Sequence, residues 1–279
     1  MLSVGVDIAK DAANTAVCTV RWEASAVIVE DIVVGANDEA VLTAAASPGV
    51  AAIALDAPFG WPVAMVAAVS AWYPGGKWAA PKDVDFRLRR TDRVTTEKTK
   101  VTVLERRSVG ESGLRSTVPL SVAADRIAMA AWRCCALLDA LSNSGAEIVT
   151  QGLGTVLPID GRRRVIEAYP AAALAMWGIP REGYKSKDAA SLGVRGTILA
   201  AIERASAKEW IQWAPGVRER CTATDHALDA FICALVARAA VLGLVDAAAP
   251  ADIACAGAEG WIALPHRDGL RLLSALAAP

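Results

Sequence analysis

The chain has 279 residues, 54% of them hydrophobic and 21% charged, with a formal net charge of −1. That length suits one large α/β domain or two small ones, and the apolar share excludes wholesale disorder. The near-neutral balance excludes a globally basic nucleic-acid binder, so any phosphate-contacting surface has to be a local patch.

Residues 2–9, 14–22 and 26–34 are rich in valine and isoleucine and are separated by short polar breaks, which predicts three successive strands in an antiparallel meander. The alanine-rich stretch 36–47 predicts a helix. Residues 50–56 return as a strand that ends in the turn Ala57-Pro58-Phe59-Gly60. Such a strand–helix–strand return places 50–56 parallel to the first strand and beside it. A short helix is expected over 61–73, after Pro62.

Residues 74–118 change character. Pro74-Gly75-Gly76 is followed by Arg87, Arg89, Arg90, Arg93, Lys98, Lys100, Arg106, Arg107 and Arg115, which suggests an inserted basic arm, partly loop. A long apolar-periodic helix follows over 119–142. Residues 146–157 and 162–169 predict one or two strands, with Asp160-Gly161 as a turn between them and Arg162-Arg163-Arg164 as a possible hairpin edge. Helices are expected over 171–177, 187–206, 207–213 and 224–243, and the apolar piece 260–265 is either a strand or a packing segment. No internal repeat is visible, and the expectation is a single domain over 1–279 with the arm at 74–118.

The six cysteines stand at 18, 134, 135, 221, 233 and 255 and form no CxxC pair, which fits a reducing cytosol better than a disulfide framework. Only His226 and His266 are present, so a His/Cys zinc site is not expected, and there is no GxSxG nucleophile elbow. The opening residues lack the layout of a secretory signal. The longest apolar stretches are interrupted by Pro62, Asp229 or Arg238, which argues against a membrane span. A cytoplasmic protein without a membrane partner is the expectation.

The acids carry the functional signal. Asp7 closes the run Val4-Gly5-Val6-Asp7-Ile8-Ala9, Asp56 closes Ala52-Ile53-Ala54-Leu55-Asp56, and Glu167 closes Val165-Ile166-Glu167. A carboxylate inside an apolar run is costly unless it is paired or binds a metal. Asp7 and Asp56 would face each other on neighbouring strands, and a divalent cation relieves the repulsion between two such groups. Asp225 and Asp229 share a helix face, roughly 6 Å apart along the axis. Asp225 also suits a plain dipole-complementing role at a helix start. Asp229 precedes the apolar segment 230–236 and is the more telling of the two. His226 lies between them and could assist water activation, although a surface histidine is the plainer reading. Between Lys82 and Arg115 cations outnumber acids by ten to six. The segment Arg87-Leu88-Arg89-Arg90-Thr91-Asp92 is therefore a candidate phosphate-contacting site, weighed against a solvated charged loop.

Acids on the first strand, the fourth strand and the last large helix are laid out as in the RNase H-like fold. The chain resembles one branch of it, the family called domain of unknown function 429, whose members are predicted nucleases related to RuvC-type resolvases. The resemblance is carried by Gly5-Val6-Asp7-Ile8-Ala9, Ala54-Leu55-Asp56-Ala57-Pro58, Arg90-Thr91-Asp92, Glu167-Ala168-Tyr169-Pro170, Asp225-His226-Ala227-Leu228-Asp229-Ala230 and Glu259-Gly260-Trp261-Ile262, in that order. It implies an α/β fold with a mixed sheet flanked by helices on both faces. It also implies a metal site built from Asp7, Asp56 and one or both of Asp225 and Asp229, with Arg90, Asp92 and Glu167 near it.

The leading expectation is a divalent-metal-dependent nuclease. Two Mg²⁺ or Mn²⁺ ions about 4 Å apart would bridge the scissile phosphate of DNA, RNA or another phosphate-bearing substrate. Asp7 would bridge both ions, Asp56 and Asp229 would each bind one, and Asp225 or Glu167 would support them. Arg87, Arg89, Arg90 and Asp92 would serve the substrate. The alternatives are an ATP-dependent phosphotransferase of the actin and sugar-kinase type, and a catalytically inactive binding protein on the same core.

Overall fold

The computed structural model describes residues 1–23, 26–73, 75–78, 86–186, 188–206 and 209–276. Seven strands form one sheet: β1 (Leu2–Asp7), β2 (Ala16–Trp22), β3 (Val27–Val34), β4 (Val50–Asp56), β5 (Glu147–Val149), β6 (Arg164–Glu167) and β7 (Ile211–Trp213). Their order is β5-β6-β4-β1-β2-β3-β7. The β1–β2 and β2–β3 pairs are antiparallel, as the meander predicts. The β1–β4, β4–β6, β5–β6 and β3–β7 pairs are parallel. This mixed α/β sheet is consistent with an RNase H-like arrangement.

The helices are α1 (Asp38–Ala46), α2 (Val63–Trp72), α3 (Arg90–Ser108), α4 (Ala128–Asn143), α5 (Pro170–Trp177), α6 (Ala189–Glu203), α7 (Val217–Ala223), α8 (Asp225–Val241), α9 (Ile253–Glu259) and α10 (Gly269–Leu276). They cover both faces of the sheet. Alternation along β1 sends Val4 and Val6 to one side, where they join Ile53, Leu55, Val41 of α1 and Leu137 of α4 in one core. Small residues, Gly5, Ala52 and Ala54 among them, face the other side. There α8, buried along nearly its whole length, lies across β1, β4 and β2. No helix among the described residues is long and apolar enough to cross a membrane.

Four local expectations are corrected. The expected helix over 207–213 is edge strand β7, where Ile211 and Trp213 extend the sheet beside β3; residues 207–208 lie outside the described set. β5 and β6 are parallel neighbours, so Arg162–Arg164 is no hairpin edge. The long helix expected from 119 begins at Ala128. Much of the expected basic arm is the regular helix α3, which packs on α5 and α9; residues 74 and 79–85, Lys82 among them, lie outside the described set. The buried stripe of α3 is Thr91, Thr95, Thr99 and Thr102. A threonine stripe carries little hydrophobic signal, and its hydroxyls bond to segments distant in the chain. Thr91 Oγ1 accepts from the Ile262 amide at 2.9 Å, and Thr99 Oγ1 accepts from the Thr117 amide at 3.2 Å.

Candidate metal centre

Three neighbouring parallel strands end on acids at one edge of the sheet. Asp7 is in register with Asp56, and Leu55 is in register with Glu167. Asp7 lies two residues beyond Gly5 and Asp56 two beyond Ala54, so both acids point to the face that α8 covers. Thr224 caps α8, its hydroxyl accepting from the Ala227 amide at 3.0 Å. Asp229 then follows one turn into the helix, over the strand ends.

One carboxylate oxygen from each of Asp7, Asp56 and Asp229 lies within 4.8 Å of the others. Asp7 and Asp229 are buried and Asp56 is half-buried. Burial is the first reason that the Asp56 carboxyl is raised well above its ordinary range; Lys185 opposes the shift, while Asp7 and Asp229 add to it. Burial likewise lifts Asp229 to about 6, against the pull of Lys185. The pocket therefore favours a group that supplies positive charge, and hard carboxylate oxygens at this spacing suit Mg²⁺ or Mn²⁺.

Two basic side chains already address the acids. His226 Nδ1 stands 2.6 Å from Asp7 Oδ2, and that hydrogen bond raises the imidazole's pKa. Lys185 Nζ stands 2.8 Å from Asp229 Oδ2. Desolvation pulls the Lys185 ammonium down, but Asp229, Tyr184, Asp56 and Asp7 outweigh it and raise it well above its ordinary value. The Tyr184 hydroxyl donates to the other oxygen, Asp229 Oδ1, at 2.9 Å. A cavity of about 540 Å³ opens over this cluster. Asp7, Asp56 and Lys185 line it, together with Arg115, Arg181 and the apolar Pro119, Leu120 and Ile127.

The remaining expected residues take other places. Asp225 is the first residue of α8 and does not join the three converging acids. Glu167 borders the cavity, but its carboxylate is held by Arg89, with Nη2 to Oε1 at 2.6 Å and Nη1 to Oε2 at 3.0 Å, and by the Phe59 amide at 3.2 Å. Arg89, an expected substrate residue, borders the same cavity but is 2% exposed, and it also binds Asp92 Oδ1 at 2.8 Å and the Glu259 carbonyl at 3.0 Å. Asp92 Oδ2 accepts from the Arg89 amide at 2.9 Å and caps α3. Arg90 pairs with Asp252 at 2.8 Å, and its amide donates to Glu259 Oε2. Arg87 is exposed. Arg89, Asp92 and Glu167 thus form a buried ionic buttress beneath the pocket wall.

Lys185, Tyr184 and Arg181 are pocket residues without a sequence signal, since they lie in an irregular segment with no periodicity to place them, whereas Arg115 belongs to the basic stretch that the sequence marks. His226 did carry one, its position between two acids.

A family model described as "Protein of unknown function (DUF429)" matches residues 5–253. No curated protein and no solved structure matches the chain.

Proposed function

The chain belongs to the DUF429 family, and we propose that it is a divalent-metal-dependent phosphodiesterase acting on nucleic acid. The observation that carries this reading is the convergence of Asp7, Asp56 and Asp229, with ligand atoms within 4.8 Å, at the sheet edge of an RNase H-like arrangement. Mg²⁺ or Mn²⁺ held there would polarise a phosphoryl oxygen and lower the pKa of a bound water. The chain's own residues do the rest. Asp7, Asp56 and Asp229 would hold the ion, and His226 fixes the orientation of Asp7 through its 2.6 Å contact. Arg115 and Arg181 line the same cavity and suit the charge of a phosphate backbone.

The test is cleavage of labelled single-stranded and duplex DNA and RNA with Mg²⁺, Mn²⁺ or EDTA, alongside Asp7→Asn. The expected result is metal-dependent cleavage by the wild type, lost in the variant while its circular dichroism stays native. Absence of cleavage on all four substrates with either metal would sink the proposal. An arm with ATP reads out the phosphotransferase alternative.

A further inference from the structure

The acidic pocket contains a cation of its own. Lys185 Nζ lies 2.8 Å from Asp229 Oδ2, and the Tyr184 hydroxyl occupies Asp229 Oδ1 at 2.9 Å, so both oxygens of a carboxylate that is 1% exposed are engaged. On the opposite acid, Asp7 Oδ2 is engaged by His226 at 2.6 Å. Lys185 is itself 52% exposed at the side chain and lines the cavity, so its ammonium faces both Asp229 and the space where a substrate would lie.

We propose that Lys185 occupies the place of a second divalent ion, so that the pocket holds a single Mg²⁺ or Mn²⁺ and the ammonium supplies the other positive charge toward the substrate phosphate. This rests on the metal-dependent reading above and replaces its two-ion form.

Two physical arguments support it. The first is size. Oxygens of the three acids that lie within 4.8 Å of one another are close enough for one Mg²⁺ or Mn²⁺ to gather, since such an ion takes its oxygen ligands at about 2.0–2.1 Å. A second ion about 3.5–4 Å from the first would compete for the space beside Asp229 Oδ2 that the Lys185 ammonium fills at 2.8 Å. The second is charge. Lys185 already offsets part of the charge of the three acids and His226 bonds Asp7, so the cluster offers a second divalent ion less negative charge than three bare carboxylates would. A compact ammonium on a flexible stem is a point charge able to contact a phosphate oxygen beside the ion.

The experiment is calorimetric titration of Mn²⁺ into the full chain, paired with electron paramagnetic resonance at saturation, for the wild type, Lys185→Met and Lys185→Arg. The expected results are one ion and an uncoupled Mn²⁺ spectrum in the wild type and in Lys185→Arg, and a second ion with a spin-coupled spectrum in Lys185→Met. Unfolding curves on all three confirm that the variants are native. Two ions in the wild type overturn the proposal and leave the metal-dependent reading intact, as does a single ion in natively folded Lys185→Met. No ion in the wild type overturns both.

Discussion

A Cβ placed on Gly5 would lie 2.0 Å from the carbonyl oxygen of Ala230 and 2.2 Å from the amide nitrogen of Ala234. Strand β1 and helix α8 therefore meet backbone to backbone at this point, which no side chain larger than hydrogen permits. Asp7 is two residues along the strand and Asp229 is next to Ala230, so the same close approach sets the distance between these two acids. Gly5→Ala must push α8 off the sheet, and a loss of about 2 kcal/mol or more is expected from the overpacking. Gly193→Ala, inside α6 with nothing within 4 Å of a new Cβ, should instead gain roughly 0.5–1 kcal/mol. Urea unfolding of both variants measures the contrast, and equal midpoints would show that β1 and α8 have slack.

Arg89 is the second structural lever. It is buried between Asp92 and Glu167 and also bonds the Glu259 carbonyl. Arg89→Ala leaves two buried carboxylates without their counter-ion, a change that costs roughly 3–5 kcal/mol. Arg90→Ala breaks a more exposed pair with Asp252 and should cost about 1 kcal/mol or less. The expected outcome is a large fall in unfolding free energy for the first variant and a small one for the second. If Arg89→Ala is as stable as wild type and instead weakens nucleic-acid binding with a shallower salt dependence, the phosphate-contact reading of this arginine returns.

What the sequence reveals and hides follows from the range of the interactions. Asp7 and Asp56 are legible because each interrupts an apolar strand, and Asp229 because it interrupts an apolar helix. The partners that define the site are not local. Lys185 reaches Asp229 from an irregular segment, and Arg89 reaches Glu167 across 78 residues. Helix α3 hides its period because its buried stripe is largely threonine, and β7 hides its own because three residues are too few to show a period of two. Gly260 belongs to a recognisable Glu-Gly-Trp-Ile string, yet its reason is visible only in three dimensions. It has φ +82°, and a Cβ there would lie 2.6 Å from Glu167 Oε2.

The pocket should respond to pH in opposite senses with and without metal. Without metal, burial, opposed by Lys185, leaves Asp229 at about 6 and Asp56 well above the ordinary carboxyl range. The folded chain then holds protons that the unfolded chain releases near pH 4. Their stabilising contribution is fully present at acid pH and is lost as pH rises through about 6. His226, raised by its bond to Asp7, acts in the same direction. Metal competes with those protons, so Mn²⁺ should raise the melting temperature little at pH 5 and several-fold more at pH 7.5. Thermal shift with Mn²⁺ or EDTA at both values measures this, and an equal shift at the two would place the ion away from Asp229 and Asp56.

The last prediction separates the two helix acids. Asp229 lies within the converging group, and Asp225, one turn earlier, sits at the helix start. Asp229→Asn removes a charged ligand and leaves Lys185 without its ion pair, so the metal-induced rise in melting temperature should disappear. Asp7→Asn should abolish it too, because the same group of oxygens loses another member. Asp225→Asn removes only a charge that complements the helix dipole. It should cost about 0.3–1 kcal/mol of stability and leave the Mn²⁺ response unchanged. Thermal shift on the three variants at pH 7.5 decides the matter. A lost response in Asp225→Asn, with Asp229→Asn still responding, would move the ion one turn back along α8 and make Asp225 its ligand.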